Sequence, residues 1–300
     1  MKQTLIAKRS DRLDVYLSEE LGISRSKAQK LLEKDATVNG KEVKKAGVKI
    51  KEGDEIIYEE VVEEVKNIKQ RDIKYEVVYE DDDKLVINKT RGLVVHPAIG
   101  HLNDTLVNAL AYNYDFEELS EEDENRPGIV HRIDKDTSGL LVVAKNLESK
   151  DFLSKEIAKH NVNREYLCMV YGHPRDRFFK VDAPIARHPY KRVLMAVDVE
   201  HGKEAQTHFE VVREFKDSSL VKCTLETGRT HQIRVHLNFI NHPIIGDPLY
   251  TAKKDPLFEE GQVLHAYKLE LTHPRTLEKM TFYAPIDDYF KKCLITKCKL

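Results

Sequence analysis

The densest run of reactive side chains in the 300-residue sequence is His131-Arg132-Ile133-Asp134-Lys135-Asp136-Thr137-Ser138-Gly139-Leu140-Leu141, inside residues 126–145. A carboxylate in such a loop can act as a nucleophile or a general base, and a neighbouring cation can hold charge that develops during reaction. Residue types alone do not make this an active site, because an arginine-rich loop with two aspartates is more often a surface ion-pair cluster. One carboxylate chemistry is disfavoured. Asp134 and Asp136 stand two residues apart on a loop, a poor arrangement for opposed carboxylates flanking a scissile bond.

Two other stretches carry candidates. Arg164-Glu165-Tyr166-Leu167-Cys168-Met169-Val170-Tyr171-Gly172 places Tyr166 among apolar neighbours, where taken alone it reads as a core residue of a strand. Thr227-Gly228-Arg229-Thr230-His231-Gln232-Ile233-Arg234-Val235-His236-Leu237 contains two arginines, Arg229 and Arg234, and Arg234 in isolation reads as a strand-surface residue.

The elements that must position these groups are legible in outline. Pro127-Gly128 and Thr137-Ser138-Gly139 mark turns, and the apolar run from Leu140 reads as a buried strand that would hold the loop rigidly. Short β-rich runs at residues 75–79, 84–88, 140–144, 165–171, 207–212 and 220–224 alternate with fewer helical stretches, at 105–112 and 149–159, which predicts an α+β domain. Ahead of it, Leu13, Tyr16, Leu17 and Leu21 recur at helical spacing. Ser24 can cap a second helix with Ala28, Leu31 and Leu32 inward and Arg25, Lys27, Lys30 and Lys34 outward. Asn39-Gly40 between β-formers is a hairpin signal, and a turn at 51–54 leads to a strand at 55–58. The charged segment 59–66 reads as a linker, giving units at 10–68 and 72–292.

Composition narrows the class. With 41% hydrophobic and 33% charged residues the chain is an ordinary globular one, and no stretch approaches the ~20 apolar residues of a membrane span. The start lacks a signal-peptide pattern, so a cytoplasmic location is expected. Cys168, Cys223, Cys293 and Cys298 do not have the spacing of common zinc motifs, and no metal is expected. A net charge of −2 argues against a nucleic-acid partner only as an average. Residues 1–51 hold 13 Lys/Arg and 7 Asp/Glu, a local +6.

The run at His131–Leu141 closely resembles the signature loop of RluA/RluD-type RNA pseudouridine synthases, with Ile133 in place of the usual leucine. The stretches at 164–172 and 227–237, followed by His242-Pro243-Ile244-Ile245-Gly246-Asp247-Pro248-Leu249-Tyr250, resemble the family's later signatures, so the likeness spans most of 75–290. Residues 10–60 are similar to the S-four RNA-binding module. Three positions depart from the family pattern: Lys89-Thr90-Arg91-Gly92 replaces a proline turn, Asn241 stands where glycine is common, and Thr251 follows Tyr250 where glycine is usual.

The resemblance implies a pseudouridine synthase fold, α+β with a mixed, largely antiparallel central sheet, preceded by the small α/β module. It assigns the essential aspartate to Asp134, the tyrosine that packs on the target base to Tyr166, and the arginine that pairs with the aspartate to Arg234. The reaction breaks the bond from base nitrogen to ribose, turns the base and rejoins it through carbon, so no cofactor is needed. The uridine must be flipped out or lie in a loop. His131, Arg132 and Arg229 are expected to fill the gap or hold flanking phosphates, and Arg25, Lys27 and Lys30 to add salt-dependent phosphate contacts. The expected partner is structured RNA, foremost large-subunit ribosomal RNA or its precursor particle, with the protein acting as a monomer and without a membrane.

Overall fold

The protein is described from a computed structural model that covers residues 2–21, 25–32, 36–43, 45, 47–59, 69–97, 100–114, 119, 127–191, 193–251 and 258–299. Two compact units divide it, Met1–Lys66 and Asn67–Leu300.

In the first unit, β1 (Lys2–Ile6) precedes β2 (Asp11–Arg12), α1 (Leu13–Glu20), α2 (Arg25–Leu32), β3 (Thr37–Val38), β4 (Lys41–Glu42), β5 (Lys49–Ile50) and β6 (Glu55–Glu59). Asn39 and Gly40 both take positive φ, 51° and 74°, the geometry a two-residue hairpin needs to match strand twist, and β3 and β4 pair across them. The unit begins earlier than residue 10, because β1 pairs antiparallel with β6 along its whole length. Leu13, Tyr16, Leu17, Ala28, Leu32, Ile50 and Ile56 form its core, as the helical spacing requires. Asp14 is fully buried and accepts hydrogen bonds from Arg12, Arg25 and Gln29 at 3.1, 2.9 and 2.9 Å. The Arg12 guanidinium above all holds the Asp14 carboxyl well below the usual range, against the opposing effect of burial. Ser24, most of the expected linker, and the side chains of Lys27 and Lys30 lie outside the described residues.

The second unit is built on a nine-stranded sheet: β7 (Glu76–Glu80), β8 (Lys84–Lys89), β9 (Ser138–Ala144), β10 (Asn163–Tyr171), β11 (Phe178–Asp182), β14 (Gln206–Glu214), β15 (Ser218–Leu225), β16 (Leu264–Thr272) and β17 (Lys279–Tyr283). The order is β11-β14-β15-β10-β16-β9-β8-β7, with β17 also on β16. All pairings are antiparallel except β16 with β9, so the sheet is mixed and largely antiparallel. A small ribbon, β12 (Ile185–Arg187) with β13 (Met195–Val197), lies beside it. The helices are α3 (Leu106–Asn113), α4 (Leu147–Ala158), α5 (Gln232–Phe239) and α6 (Asp288–Lys299). α4 begins two residues before the predicted start because Asn146 caps it, accepting the Ser149 N–H at 2.9 Å.

The sheet is covered on both faces. Leu141 and Val143 of β9 join Leu106, Leu110, Ile233 and Leu237 in one core, while Leu140, Val142 and Ala144 join Leu153 in another. Every residue of β9 is therefore buried, which is why its sequence is a continuous apolar run. Each such Leu or Val contributes ~1.5–3 kcal/mol relative to exposure, so this strand is a stiff base for the loop ahead of it.

Candidate active site

The loop of residues 127–137 reaches β9 through contacts that leave it little freedom. Gly128 has φ 70°, and a Cβ there would lie 2.3 Å from the Ala144 carbonyl oxygen, which only glycine avoids. Its own carbonyl accepts the Ala144 N–H at 2.8 Å. Three residues on, the Val142 N–H donates to His131 Nε2 at 3.0 Å. The loop closes in a turn in which Thr137 N–H donates to the Asp134 carbonyl at 3.1 Å.

The segment 89–92 clamps the far side of that turn. Lys89 is fully buried and its ammonium donates to the carbonyls of Thr90, Leu93 and Lys135 at 2.9, 2.8 and 3.0 Å. Burial, with the nearby Arg91 charge, pulls its pKa down to about 7, yet three carbonyls use all three N–H bonds of the charged form, and a neutral amine has only two. Arg91 donates to the carbonyls of Asp136 and Gln262, pairs with Asp287 and stacks on Tyr289. Gly92, at φ 80°, donates its N–H to the Lys135 carbonyl. The missing family proline is thus replaced by two cations that hold the turn from its carbonyl side. Asn241 also keeps the glycine-like shape, with φ 64°.

α5 brings the third part. His231, at φ 58°, starts the helix, and Arg234 in its first turn is almost wholly buried. Arg234 Nη1 donates to Asp134 Oδ2 at 2.7 Å, while its Nε and Nη2 form a fork onto Asp247 at 2.7 and 2.9 Å. Asp247 is itself buried and also accepts the N–H groups of Leu249 and Tyr250. Burial would lower the Arg234 pKa, but the hydrogen bonds and charges of Asp247 and Asp134 outweigh it and raise it. Of the two rival arginines it is Arg234 that touches Asp134; Arg229 Nε donates to the Glu204 carbonyl at 2.9 Å. Arg234 lies on a helix rather than a strand.

Around this pair lies a cavity of about 490 Å³, lined by Asp134, Tyr166, Arg234, His131, Arg132 and Arg229 among others. Burial raises the Tyr166 pKa, so its phenol stays protonated at neutral pH. Arg132 is part-exposed and its Nη1 lies 2.8 Å from His96 Nε2. His131 does not fit the phosphate-holding role expected of it. Burial holds its pKa down to about 3, and its Nε2 is used by the Val142 N–H, so it is a neutral structural group. Arg25 is exposed but tied to Asp14 at 2.9 Å.

Three groups that complete the site carry no role in the sequence pattern. Asp247 stands in the stretch 242–250 with no cation beside it, and its partner comes from α5. The Tyr250 hydroxyl accepts the Met195 N–H at 2.8 Å and is hydrogen-bonded to His231 Nδ1 at 2.9 Å, and His231 Nε2 lies 3.9 Å from Asp134 Oδ1. Burial also lowers the His231 pKa and raises that of Tyr250 to about 12, so both are neutral. Among the described residues one group has the composition of a metal site, Asp81, Asp83 and His273, but Lys84 and Arg275 already neutralise its carboxylates at 2.6 Å each, and it lies outside the cavity.

Comparison with known proteins gives concordant results. Residues 83–239 match the family described as RNA pseudouridylate synthase and residues 11–56 match the S4 domain. The uncharacterized RNA pseudouridine synthase YlyB of Bacillus subtilis is 44% identical over 93% of this chain and 92% of its own. The ribosomal large subunit pseudouridine synthase D of Vibrio parahaemolyticus is 40% identical over 96% and 90%, and that of Escherichia coli K12 is 39% identical over 92% and 87%. Among solved structures, human RNA pseudouridylate synthase domain containing 1 superposes with a TM-score of 0.56 at 26% identity, covering 71% of this chain and 83% of that one. Human domain containing 4 gives 0.58 at 23% identity over 75% and 93%, a likeness of fold.

Proposed function

The chain belongs to the RNA pseudouridylate synthase family, and from that membership we propose that it isomerises specific uridines to pseudouridine in large-subunit ribosomal RNA or the precursor particle containing it. The observation that carries the reading is the 2.7 Å contact between Asp134 and Arg234 in a cavity that also presents Tyr166.

In this reading the target uridine leaves the stack and enters the cavity, at a cost of a few kcal/mol of unstacking. Tyr166 offers its ring to the base. Asp134 acts at the glycosidic bond or on the base, and Arg234, fixed by Asp247, aims the carboxylate so that it need not reorganise when charge moves. Arg132 and Arg229 reach solvent at the rim and suit flanking phosphates. The S4 unit, 10–68 with β1 added, supplies further phosphate contacts through Arg25, Lys27 and Lys30, and the chemistry belongs to 72–292. One chain supplies every part, so the protein acts as a monomer, in the cytoplasm where ribosomes are built.

The test is to express the protein, or its Asp134→Ala variant, in cells lacking the endogenous enzyme and to map pseudouridine across total RNA by carbodiimide-dependent reverse-transcription stops. Stops at discrete ribosomal positions that need Asp134 are expected. A folded wild-type protein that binds ribosomal particles yet adds no pseudouridine to any RNA would replace this reading with that of a non-catalytic RNA-binding protein.

A further inference from the structure

Five cationic side chains are strongly buried among the described residues: Lys84, Lys89, Arg164, Arg234 and Lys297. Four have acceptors. Lys84 pairs with Asp81, Lys89 with three carbonyls, Arg234 with Asp134 and Asp247, and Lys297 with both oxygens of Asp217. Arg164 is the exception. Its residue is 6% exposed, its side chain has no hydrogen-bond or ion-pair partner among the described residues, and its Nε is buried without an acceptor. A largely buried guanidinium with no counter-charge, its Nε unpaired and its outer nitrogens open only to the cavity it lines, is costly to keep, and its place at that wall leaves the acceptor to be supplied by a ligand.

Its position says which part of the ligand. Arg164 lines the cavity two residues before Tyr166 on β10, on the same side of the strand. Its charge is felt at the Tyr166 phenol and at His131. The loop above it packs closely on the guanidinium: a Cβ at Gly228 would lie 2.7 Å from Arg164 Nη1, so the glycine lets the arginine keep this position. Phosphates remain with the RNA backbone near the surface, where Arg132 and Arg229 reach solvent, whereas Arg164 is deep, beside the ring proposed to stack on the base.

We propose that Arg164 is a further catalytic residue of this site, whose guanidinium binds a carbonyl oxygen of the flipped uracil and stabilises the negative charge that collects there during isomerisation. The inference rests on the function proposed above, and it holds for either role of Asp134. If the C1′–N1 bond breaks first, its electron pair leaves with uracil and spreads over N1, O2 and O4, while Asp134 bonds to C1′ until C5 displaces it, or takes the C2′ proton and returns it when C1′ bonds to C5. If Asp134 adds to C6, the C5–C6 pair moves onto O4, the C1′–N1 bond then breaks with its pair left on N1, and the Asp134–C6 bond is reversed at the end. In both, the C1′–C5 bond then forms, C5 loses its proton and N1 gains one, so the product is an isomer and no oxidant is involved.

The test uses the full-length protein and the RNA identified by pseudouridine mapping, with single-turnover rates at saturating enzyme, affinities at two salt concentrations, and melting temperatures. Arg164→Met should lower the saturated rate at least ~100-fold, as loss of one oxyanion donor does, with affinity and its salt dependence unchanged and the fold retained. Gly228→Ala, whose Cβ would press on the guanidinium without deleting it, should lower the rate in the same direction and by less. With 5-fluorouridine at the target position, whose base anion is intrinsically more stable, the Arg164→Met penalty on base detachment should shrink. Weaker binding with a shallower salt slope and a retained rate would assign Arg164 to a phosphate and overturn the proposal. Unchanged rate and affinity would overturn it too, as would loss of fold in Arg164→Met combined with full activity in Gly228→Ala. A wild-type protein that makes no pseudouridine would defeat the underlying function instead.

Discussion

At the scale of single residues the site is a chain of charges, Asp134, Arg234 and Asp247, in which the outer carboxylate faces the cavity and the inner one is buried. The two should respond differently to the same change. Asp247→Asn keeps the shape but strips the buried fork of its counter-charge, and breaking a buried pair in this way costs about 3–5 kcal/mol. Both stability in urea and pseudouridine formation should fall. Asp134→Asn leaves Arg234 neutralised by Asp247, so activity should vanish with little change in urea midpoint; equal destabilisation by the two variants would refute this division of labour. His131 supports a second prediction. Its pKa falls from 6.5 to about 3 through burial, so between those values the unfolded chain binds a proton that the folded chain refuses. Stability is complete above pH 6.5 and declines as pH falls toward about 3. His131→Gln, which keeps an acceptor for the Val142 N–H, should flatten that acid-side slope by up to ~1.4 kcal/mol per pH unit in melts taken across the range.

At the scale of elements the sheet positions the loop, and glycines decide how closely it can lie. Gly128 and Gly92 both take positive φ, 70° and 80°, but only Gly128 faces backbone, since nothing lies within 4 Å of a Cβ at 92. Gly92→Ala should cost ~1 kcal/mol for φ alone, and Gly128→Ala on the order of 3 kcal/mol or more because the Ala144 carbonyl must also shift. Chemical unfolding measures the difference, and equal costs would show that the loop is not seated on β9. These contrasts explain what was legible in the sequence. β9 stood out because a strand buried on both faces must be continuously apolar, and Asn39-Gly40 because a two-residue hairpin has few alternatives. α5 was obscured: Ile233, Val235 and Leu237 alternate like a strand, and burial of every residue from Gln232 to Leu237 removes the helical period. The partnership of Arg234 with Asp247 and the neutrality of His131 depend on groups 13 and 11 residues away along the chain, which no local pattern encodes.

At the scale of the whole molecule, the average charge conceals a division of work. A chain of net −2 carries a local +6 in residues 1–51, where the S4 match lies, so the attraction that gathers RNA is concentrated in a different part of the sequence from the residues proposed to do chemistry. That attraction is not simply a count of lysines and arginines. The buried Asp14 draws on both Arg12 and Arg25, so this pair presents about one net positive charge to solvent rather than two. Deleting a cation that serves one phosphate lowers the salt slope of binding by about one, since each neutralised phosphate releases its counterion. Arg25→Gln should therefore weaken RNA binding at low salt and lower the slope by clearly less than one, because part of its charge is already spent on Asp14. The single-turnover rate at saturating protein should be unchanged, since Arg25 has no part in the proposed chemistry. Filter binding over a salt series with the full-length protein decides the matter. A slope change of one or more would mean that Arg25 leaves Asp14 to meet a phosphate, and a lower rate at saturation would mean that the module sets the geometry of catalysis as well as the capture of RNA.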